Sequence, residues 1–342
     1  MLAEDGTLGT TSFGNATRSI SVVVPVYNSE QTLAELVQRL DRVLTGCAVV
    51  VREVILVNDG SCDGSWDVIC RLSAQHSWVR GIDLMRNYGQ HNALLAGIRA
   101  ATGDTVVTID DDLQHPPEEI PTLLHTLAQG FDVVYGTPVE EKHSFSRALA
   151  SRLTKLALQV AMGVESARHA SAFRVFRADI RRAFEDYQGP FAPIDVLLTW
   201  GTTRFAAVPV RHEPRRYGAS NYTFGRLLLH ALNMTTGFST LPLQVASLIG
   251  FAFTLFGIGV FLYVIGRYIV NGGSVPGFPF LASLLAIFSG AQLFGLGVVG
   301  EYLARIHFRT MGRPSSIVRQ SIGFSSGRGE GHHERRPGDA RS

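Results

Sequence analysis

The sequence predicts an α/β domain built on a doubly wound, mostly parallel sheet, followed by a C-terminal hairpin of two membrane-spanning helices. Three observations carry this. Over residues 19 to about 210, apolar runs of strand length alternate with stretches of helical spacing. From Ala231 to Gly266, and again from Tyr268 to Gly300, no Asp, Glu, Lys or Arg occurs. Polar residues gather where the predicted strands end, most densely at Asp110, Asp111 and Asp112.

The first residues, 1–18, contain acids and no apolar run, so they do not form a secretory signal, and they are expected to be a disordered lead-in. SISVVVPVY then reads as a strand, NSEQTLAELVQRLDRVL as a helix, VVVREVILVND as a strand, and GSCDGSWDVICRLSAQ as a turn and helix. VRGIDLM is a further strand, GQHNALLAGIRAAT a helix, and DTVVTIDDD a strand. Such sheets bind ligands at the carboxyl ends of their strands. Tyr27 and Asn28, Asn58 and Asp59, Arg86 and Asn87, and the three aspartates stand at those ends. Neither G-x-G-x-x-G nor G-x-x-x-x-G-K-[ST] occurs, so no dinucleotide site or P-loop is indicated.

Two spans follow, near Gln244–Val270 and Phe280–Leu303, joined by the turn NGGSVPGFP. The alternative, a pair of buried soluble helices, fits their length and lack of charge poorly. Arg211, Arg215, Arg216 and Arg226 precede the first span, and Arg305, Arg309, Arg313 and Arg319 follow the second. Positive flanks stay inside. The inner (plasma) membrane is therefore the expected location, with the soluble domain and both termini cytoplasmic. Residues 226–243 are expected to run along the interface as an amphipathic segment, and 305–342 to be a basic cytoplasmic tail with a disordered end. The cysteines, Cys47, Cys62 and Cys70, read as reduced thiols.

If the strand continues through the triplet, Asp110 and Asp112 face one way and Asp111 the other. Two hard oxygen ligands on one face suit Mg²⁺ or Mn²⁺. A solvated acidic strand end is the alternative on these letters alone.

SVVVPVYN, VILVNDGSCDGSW, LMRNYGQHNALLAGI and TIDDDLQHPPEEI, in that order, resemble the nucleotide-sugar glycosyltransferases of family 2, which have the Rossmann-like GT-A fold. EPRRYGASNYTF, FSTLPLQ and GAQLFGLGVVGEYLARIHFRTMGRP extend the resemblance to the polyprenyl-phosphate glycosyltransferases, over residues 19 to about 320. The resemblance implies a cytoplasmic domain at 19–225 that moves a sugar from a nucleotide donor, UDP favoured, to a polyprenyl phosphate. It also implies inversion at the anomeric carbon, and a homo-oligomer, in related enzymes a tetramer.

It places donor contacts at Pro25, Tyr27, Asn28, Glu30, Asp59, Arg86, Asn87, Asp110 and Gln114, with Asp110 and Asp112 holding the metal. Arg174 and Arg215 would grip the acceptor phosphate, with Ser220 in register, and Asp112, Arg174 and Arg215 would carry catalysis. Ser29 intervenes before Glu30, Asn221 stands where Lys is frequent, and Arg168 where Asp is frequent. The family's arginine after the VVYG strand is missing, with Lys142 and Arg147 as candidates to replace it. Bland readings stand beside several of these. Asp59 suits an Asx turn, Arg86 and Asn87 a polar strand end, and Arg215 and Arg216 a juxtamembrane charge pair. His91 lines the pocket or caps a turn, and no catalytic role is assigned to it. Asp111 stands where a small residue is usual and is expected to point away from the metal and to be dispensable. A non-catalytic nucleotide-sugar-binding scaffold and a polysaccharide-synthase-like enzyme are the competing functions. The chain lacks the Q-x-x-R-W of the latter.

Overall fold

The computed structural model describes residues 19–47, 51–138, 170–189, 193–213, 241–271 and 277–324. Along them run β1 (Ser19–Val26), α1 (Leu33–Gly46), β2 (Val51–Asn58), α2 (Ser65–Gln75), β3 (Val79–Leu84), α3 (Gln90–Ala100), β4 (Thr105–Thr108) and α4 (Ile120–Ala128). Then come β5 (Val133–Pro138), β6 (Arg174–Arg177), α5 (Ile194–Gly201), β7 (Phe205–Val210), α6 (Leu241–Asn271), α7 (Phe278–Thr310) and β8 (Val318–Ile322).

The eight strands form one sheet in the order β7-β5-β6-β4-β1-β2-β3-β8. β1 pairs in parallel with both β2 and β4, β2 with β3, and β5 with β7. β6 and β8 run antiparallel to their neighbours. The alternating strand pattern explains the two cores. Val22, Val24, Val54 and Leu56 face the layer holding Leu36, Leu40 and Leu123 of α1 and α4. Val23, Ile55 and Val57 face the other side, against Leu94, Ile98 and Leu197 of α3 and α5. Helix α1 contributes Leu33, Leu36, Val37, Leu40 and Leu44, the spacing of one helical stripe. Helix α3 lies so close to the sheet that a Cβ at Gly97 would stand 2.3 Å from Val23 Cγ1.

The order in which successive strands are added to the sheet reverses at β1. β2 and β3 lie on one side of it and β4 on the other, which makes the carboxyl end of β1 the topological switch point.

The two C-terminal helices have 31 and 33 residues. Their most apolar windows are Leu243–Arg267 and Ile287–Ala304, with mean hydropathy 2.4 and 1.3, and none of those residues is buried. Each helix is long enough to cross a hydrocarbon core of about 30 Å. They touch each other through Phe253 and Phe288, whose ring centroids lie 5.6 Å apart.

Beyond α7 the chain returns to the sheet. Residues 318–322, expected to belong to a basic cytoplasmic tail, form β8 on the edge of β3, with Gly81 opposite Ile322 and Leu84 opposite Val318. A strand this short carries too little periodicity to stand out among flanking arginines.

Candidate active site

The site is assembled from four loops at the carboxyl edge of β1 to β4. Strand β1 reaches it through Pro25, which is buried in the middle of the sheet. The position tolerates proline because β4 has already ended there. The carbonyl of Val23 accepts the N–H of Ile109 at 3.3 Å, and β4 pairs no further than Thr108 with Val23. Pro25 would next present its N–H to that side, so the missing donor costs no ladder bond. Asn28 then takes a positive φ of 54°. Its side chain accepts the N–H of Cys62 at 2.8 Å, and its own N–H donates to Ser61 Oγ at 3.0 Å. The first loop is thereby sewn to the second. Glu30 is held by the same neighbour, its carboxylate accepting the N–H of Gly64 at 3.1 Å at the start of α2. A carboxylate at a helix N-terminus is favourable on its own account, so Glu30 has a structural use beside any donor contact.

In the second loop the Asx-turn role falls to Asn58, whose Oδ1 accepts the Ser61 N–H at 3.3 Å. Asp59 is 3% exposed and reaches across to the third loop. Its two oxygens accept the N–H groups of Tyr88 at 2.7 Å and Gly89 at 2.9 Å. Burial raises its carboxyl above the ordinary range, and those two bonds oppose the rise. Gly60, at φ +66°, packs against the same loop; a Cβ there would lie 2.5 Å from the Asn87 nitrogen. The Arg86 guanidinium lies 4.7 Å above the ring of Tyr88.

The fourth loop carries the aspartates, and here the structure differs from the expected strand. β4 stops at Thr108, and Asp111 and Asp112 occupy a turn that ends at Leu113 with φ 59°. Asp111 Oδ2 accepts the Tyr27 N–H at 3.1 Å, tying this loop to β1. Burial pushes its carboxyl up to about 6, against the bonds from the Ser29 side chain and the Tyr27 N–H. Asp111 is therefore a brace rather than a bystander. Asp110 Oδ1 accepts from Gln90 Nε2 at 2.7 Å, and Asp112 Oδ1 caps the Gln114 N–H at 3.1 Å.

Asp110 and Asp112 are hard oxygen donors on one loop, the set that suits Mg²⁺ or Mn²⁺. Among the described residues no three His, Cys, Asp or Glu side chains converge into a full protein cage. Such a donor set fits a cation that completes its shell with water and substrate phosphates, as magnesium sites do.

Downstream, the loop meets the segment leaving β7. The Glu213 N–H donates to the Gln114 carbonyl at 2.8 Å. The His115 ring packs 5.2 Å from His212 and 5.5 Å from Phe173, and burial holds its imidazole down to about 4. Arg39 of α1 joins Glu118 at 2.7 Å and Glu213 at 3.2 Å. A groove of 940 Å³ along α1, lined in part by Gln38, Gln75 and His76, lies on this outer side, and none of the strand-end residues lines it. The contacts of Gln90, Arg39 and His212 were not legible in the sequence, since their partners Asp110, Glu118 and His115 are distant along the chain.

Arg174 has a protein partner in this structure. At the start of β6 its side chain is 2% exposed and ion-paired with Asp195 of α5. Arg215 and Ser220 lie outside the described residues, as do Lys142, Arg147, Arg168, Arg216 and Asn221.

Residues 21–183 match the model of the family described as "Glycosyl transferase family 2". The chain is 34% identical over 310 residues to the undecaprenyl-phosphate 4-deoxy-4-formamido-L-arabinose transferase of Pectobacterium carotovorum, covering 89% of this chain and 94% of that one. The chain belongs to glycosyl transferase family 2. The transferase of the same description from Yersinia pestis is 33% identical, covering 91% of this chain and 96% of its own. Among solved structures, glucosyl-3-phosphoglycerate synthase from Mycobacterium tuberculosis, in complex with Mn²⁺ and uridine-diphosphate-glucose, is 20% identical with a TM-score of 0.49. That likeness covers 64% of this chain and 77% of that one. The family 2 match lies on the mixed-sheet α/β domain described above.

Proposed function

We propose that this family 2 enzyme moves a sugar from a UDP-linked donor to the phosphate of an undecaprenyl or decaprenyl phosphate at the cytoplasmic face of the membrane, with inversion. The observation that carries the reading is one juxtaposition. The aspartate loop is bonded through Gln114 to Glu213, two residues before Arg215 and shortly before an apolar hairpin. The aspartate loop is thus bonded to the residue that stands two before the acceptor motif in the sequence, and the apolar hairpin follows further along the chain. The names of the curated relatives support the polyprenyl acceptor.

The acceptor phosphate is already an anion at neutral pH, so the site needs no general base. Its task is to bring two anions together in line. Tyr27, Asn28 and Asp59 shape the nucleoside end of the pocket, and Arg86, Asn87 and Gln114 stand toward the diphosphate. Arg215 and Ser220 are assigned the acceptor phosphate, a guanidinium being suited to paired oxygens. Arg174 holds Asp195 within the sheet domain. Asp110 and Asp112 would hold a divalent cation that, when bound, offsets charge developing on the departing diphosphate.

β8 supports the topology. It follows α7 yet pairs with β3 of the soluble domain, so both ends of the hairpin share one face of the membrane. The arginine-rich flanks make that face the cytoplasmic one.

The test is transfer by the purified full-length protein in lipid nanodiscs. Radiolabelled nucleotide sugars are offered with undecaprenyl phosphate and Mg²⁺ or Mn²⁺, and the lipid product is identified by mass. A sugar-phosphate lipid from at least one UDP-sugar is expected. Nucleotide binding without transfer from any donor would favour the scaffold reading and reject this one.

A further inference from the structure

We propose that β8 and its Arg319 form a positioning element for the donor pocket, so that nucleotide-sugar binding depends on the segment returning from the membrane hairpin. The proposal rests on the donor reading above. Both main-chain polar groups of Met85 are held by this returning segment. Its N–H donates to the Ile317 carbonyl at 2.9 Å, and its carbonyl accepts from Arg319 Nη2 at 2.9 Å. Met85 is the residue from which the third strand-end loop departs. Arg86 and Asn87 follow it and pack on Gly60, and Tyr88 and Gly89 then bond Asp59. A shift at Met85 is a shift of that loop.

A second route starts from the same arginine. Arg319 Nη1 lies 3.5 Å from Asp83 Oδ2, and Asp83 is 3% exposed. The other oxygen of Asp83 accepts from Asn58 Nδ2 at 2.7 Å, and Asn58 shapes the turn that begins at Asp59. Two independent contacts of one side chain therefore converge on the two loops that Asp59 joins. Upstream, Ser315 is 2% exposed and accepts from Arg99 Nη1 at 3.1 Å, which anchors the segment against α3. Without β8, β3 would be a bare sheet edge.

The Arg319 head is itself half exposed, and ion pairs of that kind add little to global stability. Its loss should disturb the pocket more than the fold. Arg319→Ala and Arg319→Lys are compared with the wild-type full-length enzyme in nanodiscs, with each substrate varied in turn and UDP binding measured by calorimetry. Arg319→Ala is expected to raise KM for the nucleotide sugar and Kd for UDP about tenfold, within the usual range of coupling between sites. KM for the lipid phosphate and the thermal midpoint should stay near wild type, and Arg319→Lys should recover part of the loss. A purely structural role predicts a lower midpoint with unchanged donor KM, and that result overturns the proposal. Equal UDP binding by wild type and Arg319→Ala also overturns it while leaving the function intact. A wild-type protein that binds no UDP and transfers no sugar removes the donor reading and this inference together.

Discussion

The backbone N–H of Glu213 donates to the carbonyl of Gln114 at 2.8 Å. That bond sets the segment leading to Arg215 against the loop that carries Asp110 and Asp112. Arg39, 12% exposed in its side chain, reinforces it by gripping Glu118 on one side and Glu213 on the other. The bonds to Glu118 and Glu213 raise the Arg39 guanidinium, and Arg39 in turn holds the Glu118 carboxyl below its ordinary value.

Arg39→Ala is expected to cost transfer more than stability. Pairs with partly exposed carboxylates contribute about 1 kcal/mol or less, whereas a small misplacement of reacting groups can lower the rate by about tenfold to a hundredfold. Turnover against thermal midpoint checks this. The pH sign is also fixed. A depressed carboxyl stabilises the fold above the ordinary glutamate range, and the contribution fades as pH falls through the depressed value. Wild type should therefore lose its margin over Arg39→Ala in acid below about pH 4, the ordinary range for glutamate.

Asp110→Ala and Asp112→Ala are expected to lower transfer by at least about a hundredfold, the scale for removing one preorganised electrostatic contact. Asp112→Asn keeps an acceptor for the Gln114 N–H, so its fold should match wild type while activity stays lost. Circular dichroism with a transfer assay separates the two effects. Chelation of divalent cations should reproduce the loss, and near-normal activity in either alanine variant would reject the metal assignment.

Asp111 is expected to behave differently from its neighbours. Alanine there leaves the Tyr27 N–H without its acceptor, at a cost of about 1 kcal/mol or somewhat more, and loosens the first loop. Asp111→Asn retains an acceptor oxygen and should be close to wild type in both stability and donor KM. Denaturant titration with donor kinetics tests the pair; equal behaviour of the alanine and asparagine variants would show that the brace does not matter.

The contrast among the three aspartates shows what was readable in the letters. Strand and helix alternation, the acidic end of β4 and the uncharged hairpin are local patterns, and each is present in the fold. The partner of Asp111 was not legible, because Tyr27 lies 84 residues away. The same limit hid β8, whose partner strand precedes it by more than two hundred residues and two apolar helices. It hid the bonds of Asp59 to the third loop as well, and the turn in NDGS, offered as the plain alternative for Asp59, falls to its neighbour Asn58. Motifs name residue types at short spacing; which of them face a pocket and which face each other depends on contacts closed by the whole sheet.

Arg174 is where that limit bears most directly on chemistry. The family resemblance marks it for an anion, yet the guanidinium is buried against Asp195, 21 residues further on. Removing one member of a buried pair strands the other charge and typically costs about 3–5 kcal/mol. Arg174→Ala is therefore expected to lower the thermal midpoint sharply, and any loss of activity should track the loss of folded protein. Replacing both members, as Arg174→Met with Asp195→Leu, removes the stranded charge and should recover much of the stability. If the double variant folds and also transfers sugar, Arg174 is a structural arginine and the acceptor grip rests with Arg215. If it folds but transfers none, while its UDP affinity is unchanged, the guanidinium takes part in the acceptor step as well.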